Sequence, residues 1–385
     1  MYNRTRMSRA VMFHTAEPNN FKATYNEYDQ VDFTLSNEER SLIMGSVRIE
    51  GVWEVSQNGE LFGFSATSDG RLVYYDRFAG AHSVIDQMSV ETMNFGILET
   101  LPNYARMVKI LSSGQGSQST QVNSVNGVEL KVPIKELARE VLMGEYAEGA
   151  PNPAALQRVS PDFSIKPMCI LNNTGGLLPY RRSGDIRLTV NLARYAEAVF
   201  GKDASQANTS FVLKELRCVW RSAPDDGKDD KLMLLRHLSV KQSIQTNFAA
   251  LQLRVPAVCS AMYSTFLPSG DEGAFIPNNL ALARPPGVDR VEFLFNDATN
   301  RLITYQLRTE LEVAEAYRDA IGASLVNSSA VTLRNMIAGD CYGIGLKFDQ
   351  PVDLNTQKLS VNLSSEITNI TPFVMYSFFA SPIEL

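Results

Sequence analysis

The chain has 385 residues, 44% of them hydrophobic and 20% charged, with a formal net charge of −6. That is the composition of a folded protein long enough for two domains, and it excludes both extended disorder and the basic balance of a nucleic-acid-binding domain. No apolar run reaches the roughly 18 residues of a membrane-spanning helix, and the N-terminus lacks the hydrophobic segment of a secretory signal.

Met1–Asn20 reads as a flexible arm. It carries Arg4, Arg6 and Arg9, which are candidate contacts to an anionic partner, and it closes on Glu17-Pro18-Asn19-Asn20. Residues 21–222 read as a first β-domain. Val31–Leu35 and Ser46–Val55 alternate apolar and polar residues, as half-buried strands do. Asn58-Gly59 and Asp69-Gly70 are turn signals flanking short strands at Leu61–Phe64 and Leu72–Tyr75. Pro102 opens a short helix with Tyr104, Met107, Val108 and Leu111 on one face. The polar run Ser112–Gly127 predicts an exposed loop. Ile134, Leu137, Ala138, Val141 and Leu142 predict a further amphipathic helix over Pro133–Met143. Strands follow at Asp185–Leu192 and Phe211–Arg221, and Ala193–Phe200 has a helical turn.

The acidic, turn-rich residues 223–230 predict a linker, and 231–385 a second β-domain. Its strands are expected near His237–Gln245, Ala249–Pro256, Met262–Leu267, Val291–Phe295, Leu302–Leu307, Ile344–Phe348, Leu359–Leu363 and Phe373–Leu385. A long Gly/Pro/Asn loop spans Pro268–Pro286. Thr309 and Glu312 form a capping box for a helix with Val313, Ala316, Tyr317, Ala320 and Ile321 on one face. Each half is thus a set of short strands interrupted by helix, which favours two tandem sandwiches over a doubly wound α/β sheet.

Enzymatic signals are missing. No G-x-S-x-G elbow, Walker loop or HExxH pair occurs. His82 and Ser83 are adjacent, and on a strand they would point to opposite faces. Cys169, Cys218, Cys259 and Cys341 lie far apart, and with only His14, His82 and His237 they read as buried free thiols, not a zinc site. No cofactor is implied. The stretch Asp225–Asp230 lacks the ligand spacing of a calcium loop.

The layout resembles the double jelly-roll major capsid proteins, the lineage of adenovirus hexon, tailless membrane-containing phages and large DNA viruses. The segments that carry it are VDFTLSNEERSLI with GSVRIEG, AGAHSVIDQMSV, GILETLPNYARMVKI, MCILNNTGGLLPYRRSGDIRLTVNLARYAEAVF, FVLKELRCVW, YGIGLKFDQPVDLNTQKLSVNLSS and FVMYSFFASPIEL. The resemblance implies an all-β fold with helical insertions, two tandem eight-stranded antiparallel jelly rolls. It further implies a homotrimer of six-sided outline, made in the host cytoplasm and assembled into a virion. Its partners would be neighbouring trimers and vertex or minor capsid proteins, with an internal membrane left open and no sequence-specific nucleic-acid binding. Two alternatives stay open at this stage: a carbohydrate-binding or carbohydrate-active sandwich, and a minor capsid or spike protein. The first would need exposed aromatic platforms, and the two tryptophans, Trp53 and Trp220, both fall in strand-like segments.

Overall fold

The structure, a computed structural model, describes residues 11–37, 39–57, 60–61, 73–74, 76, 79–114, 162–198, 200–201, 209–225, 227, 231–245, 248–274, 279–285, 288–296, 302–324, 333, 336, 341–365 and 372–385. The first half holds β1 (Met12–Ala16), β2 (Gln30–Leu35), β3 (Arg40–Ile43), β4 (Arg48–Gln57), β5 (Glu60–Leu61), β6 (Val73–Tyr74), β7 (Ile85–Thr92) and β8 (Gly96–Leu101). After these come α1 (Tyr104–Gly114), β9 (Asp162–Ile165), β10 (Leu177–Pro179), β11 (Ile186–Leu192), β12 (Phe200–Gly201) and β13 (Thr209–Pro224). The second half holds β14 (Met233–Ile244), β15 (Phe248–Leu253), β16 (Val258–Pro268), β17 (Val288–Asn296), β18 (Leu302–Leu307), α2 (Glu310–Gly322), β19 (Ile344–Asp353), β20 (Lys358–Ser365) and β21 (Phe373–Glu384).

The second half is an eight-stranded jelly roll, with one sheet ordered β14-β21-β16-β19 and the other β15-β20-β17-β18. The first half repeats it. Its β2-β11-β7-β8 sheet matches β15-β20-β17-β18, and β1-β13-β4-β9 matches β14-β21-β16-β19. The extra strands β3, β10 and β5 extend the latter sheet, and β6 pairs with β12 in a separate ribbon. The helices repeat as well: α1 joins β8 to β9, and α2 joins β18 to β19. Every pairing is antiparallel.

Period-two alternation sets these strands. Along β11, Ile186, Leu188, Val190 and Leu192 are buried while Arg187 is exposed. The strand β21 departs from alternation and is buried continuously from Phe373 to Ala380. It is the second strand of its sheet, and its outer face is covered too: the Arg106 guanidinium from α1 lies 4.2 Å from the Tyr376 ring centroid. The main apolar core is one contiguous cluster running through both rolls. Both tryptophans belong to it, so neither offers a sugar-stacking platform. All four cysteines are buried, and none forms a disulfide.

Several sequence expectations change. Met12–Ala16, expected within the arm, form the first strand of the first roll: β1 pairs with β13 from Met12↔Ser222 to Ala16↔Cys218. The His14 ring stacks on Trp220 at 5.2 Å and bonds Ser222 Oγ at 2.6 Å, so a short segment without clean alternation is held from the side. Ser112 and Ser113, expected to open a loop, complete α1 and are buried. Ser113 Oγ donates to the Ile110 carbonyl at 2.8 Å, which satisfies a polar side chain inside the helix. The strand β13 runs through Ser222–Pro224, into the start of the expected linker, where Ala223 and Pro224 pair with β3. His82 and Ser83 lie in a 3₁₀ turn, Gly80–Val84, and not on a strand. The expected helix at Pro133–Met143, the remainder of the Ser112–Gly127 loop beyond Gly114, and Arg4, Arg6 and Arg9 lie outside the described residues.

Candidate functional site: the seam between the rolls and the exposed edges

Two edge strands meet at the seam. The first roll presents β8, the edge of one of its sheets, and the second presents β14, also an edge. An open edge carries unpaired backbone groups that need partners once covered. Glu99 supplies one. Its Oε1 accepts from the His237 backbone N–H of β14 at 2.6 Å, and its Oε2 accepts from the Ile170 N–H at 2.7 Å. Arg236 Nη1 donates to the Leu98 carbonyl at 3.2 Å, and Asn173 Nδ2 donates to the Leu235 carbonyl at 3.1 Å. Side chains thus stitch the edges in place of a continued ladder.

Glu99 and His237 are both buried at this seam. Burial pushes the Glu99 carboxyl up to about 7, against the two N–H donors that hold it down. Burial lowers His237 to about 4, so its ring is neutral at pH 7. Beside them, α1 sends Arg106 into the second roll, where its guanidinium donates to the carbonyls of Asn279 and Ala281. Asn279 Nδ2 donates back to the Ala196 carbonyl at 2.6 Å. Inside the first roll, Lys109 of α1 pairs with Asp76 at 2.5 Å, both side chains buried.

A cleft of about 370 Å³ opens along the seam, with Tyr28 and Arg194 on one wall and Lys241 and Glu272 on the other. Charges on both of its walls are paired. Arg194 pairs with Glu197 at 2.8 Å, Lys241 pairs with Glu272, and Tyr376 Oη donates to Glu272 at 2.9 Å. Among the described residues no cluster of side chains could hold a metal ion. His82 Nδ1 faces Tyr104 Oη at 2.8 Å, and burial lowers this histidine to about 3. Ser83 Oγ donates to the Ala198 carbonyl at 3.2 Å, so the pair is not a nucleophile and its base.

The cleft and the histidines therefore describe a joint. What the surface offers is apolar and exposed: Phe13 on β1, 81% exposed, Leu311 on α2, 53%, and the β7–β8 hairpin with Met93 and Ile97. No protein-family model and no curated protein matches this chain. Solved structures do. The Faustovirus major capsid protein superposes with a TM-score of 0.64 at 9% identity, over 100% of this chain and 92% of that one. A chain of the Sputnik virophage structure gives 0.60 at 10% identity, over 98% and 86%. The mavirus major capsid protein gives 0.52 at 10% identity, over 97% and 90%.

The chain has the fold of viral major capsid proteins. Coverage near the full length means that both rolls are matched. At 9–10% identity no individual residue carries over. The seam residues were not singled out from sequence. The signal was a lone acidic residue, Glu99, between Leu98 and Leu101 in the stretch GILETL.

Proposed function

We propose that this protein is a structural major capsid protein, which assembles as a homotrimer and tiles an icosahedral virion shell. The observation that carries the reading is the full-length double jelly-roll match together with a seam that makes one block of two rolls. A block with buried carboxylate, guanidinium and apolar contacts across its joint does not hinge freely. Three such blocks place six similar rolls around an axis, a shape that packs laterally. The partners are neighbouring trimers and vertex or minor capsid proteins, and synthesis is in the host cytoplasm.

The segment before β1 has its own role in this reading. Arg4, Arg6 and Arg9 would meet an anionic surface, such as lipid headgroups under the shell, each contributing about 1 kcal/mol. Singly these are weak, and repeated over a lattice they act together. The assay is electron microscopy and native mass spectrometry of the full chain beside one lacking residues 1–10, which keeps β1. Trimers from both, with shells or membrane association impaired only in the shortened chain, support the proposal. A full chain that stays monomeric and forms no higher assembly would defeat it.

A further inference from the structure

The internal duplication says what should cover the two edges that the chain leaves open. Inside the chain, β8 of the first roll lies against β14 of the second. The counterpart of β8 in the second roll is β18, and the counterpart of β14 in the first roll is β1. Both are edges of their sheets, and among the described residues neither has a further strand beside it. We propose that β18 and the start of α2 of one subunit dock against β1 of a second copy, repeating between chains the seam that exists within the chain. This rests on the trimer reading above and identifies its contact surfaces.

Two independent exposures point to it. The first is on the receiving edge. Phe13, Val11 and Met12 are exposed on or beside β1, whereas β14 at the seam places His237 and Leu234 in full burial. The second is on the docking edge, where the two rolls can be compared residue by residue. β8 ends at Leu101, three residues before Tyr104 begins α1, and β18 ends at Leu307, three residues before Glu310 begins α2. Ala105 and Leu311 are therefore equivalent second positions of the two helices. Ala105 is buried against Leu280 of the other roll, while Leu311 is 53% exposed. A large apolar side chain stands uncovered where its counterpart is covered by the neighbouring roll.

The chemistry of the two seams also differs in the way association requires. Glu99 lies on β8 two residues before Leu101, and the corresponding residue of β18 is Tyr305, packed edge-on to Phe295 at 6.1 Å. The joint within the chain is never opened once folded and can bury a carboxylate. A subunit edge that waits in water and then docks gains more from apolar residues, which cost no charge desolvation. The contact is heterologous, edge onto a different edge, so it closes only as a ring.

The test uses the full chain. Phe13→Asp and Leu311→Asp are each expected to raise the trimer dissociation constant at least about tenfold, while Val258→Asp, at the start of β16 and on neither edge, leaves it unchanged. Circular dichroism melts of the isolated subunits check that each variant folds. A second arm carries Thr15→Cys together with Gln306→Cys, treated with a short bis-maleimide; the four native thiols are buried. Covalent species of up to three chains from the double variant, and none from either single variant, are expected. A trimer by native mass spectrometry that neither cross-links nor responds to the aspartates overturns this interface alone. Dimers linked by a single variant would mean like edges meet, and overturn it too. Absence of any trimer in the parent removes the trimer reading itself.

Discussion

At the scale of single residues, the buried ionisable groups give the protein a distinctive response to pH. Glu99 holds its proton more tightly folded than unfolded, because burial raises it to about 7 from an ordinary value of 4.5. Between those values its contribution to stability falls as pH rises. His237 and His82 act oppositely. Lowered to about 4 and about 3, they stay neutral in the fold while the unfolded chain protonates near 6.5. Their contribution is complete above 6.5 and is lost as pH falls below it. Glu99→Gln removes only the first effect. Its stability should climb more steeply than the parent's between about pH 5 and 6.5, by up to about 1.4 kcal/mol per pH unit. Calorimetric melts across that window test this, and parallel slopes would show that Glu99 does not titrate there. Asp76→Ala leaves the Lys109 ammonium buried without its 2.5 Å partner. A loss of about 3 kcal/mol or more is expected in urea unfolding, and a loss under about 1 would mean that water reaches the pair.

At the scale of elements, α2 is the best-determined piece. Thr309 Oγ1 accepts from the Glu312 N–H at 3.2 Å, and the Glu312 carboxylate accepts from the Thr309 N–H at 3.1 Å. Thr309→Ala should cost about 1 kcal/mol by denaturant titration. The helix lies so close to the start of β19 that a Cβ on Gly343 would stand 2.4 Å from the Tyr317 ring, and one on Gly345 2.8 Å from the Ala320 Cβ. Gly343→Ala is expected to destabilise by about 1–3 kcal/mol, since the ring has packed neighbours on every side. Tyr317→Asp, which places a charge in the same contact, should cost several kcal/mol. Unchanged melting of either variant would show that helix and sheet are not in contact.

These elements also show what could be read before the structure. The capping box and the apolar face of α2 were legible because they are local, and the alternating strands β11, β17 and β20 for the same reason. The strand β1 was not: MFHTA has no alternation, and its place depends on Trp220 and Ser222, over 200 residues away. Ser112 and Ser113 read as loop because both are polar, yet both are buried in α1, and the Ser113 hydroxyl is satisfied by the helix's own Ile110 carbonyl. The seam was hidden most deeply. Glu99 and His237 are separated by 138 residues, and although Glu99 stands out as an acidic residue in its strand, nothing local pairs it with His237.

At the scale of the whole molecule, the duplication explains why a chain with no catalytic constellation among its described residues invests in a buried polar joint. The apolar core is one cluster through both rolls, and Glu99, Arg106 and Asn279 add hydrogen bonds that fix one roll against the other, so that the two unlike edges stand at a set angle. Self-association is the central claim, and the mass of the purified full-length chain in solution tests it most directly. Native mass spectrometry at micromolar concentration should give a species of three chains, and the mass should fall to one chain in Phe13→Asp. A parent protein that remains a single chain across that range would contradict the account.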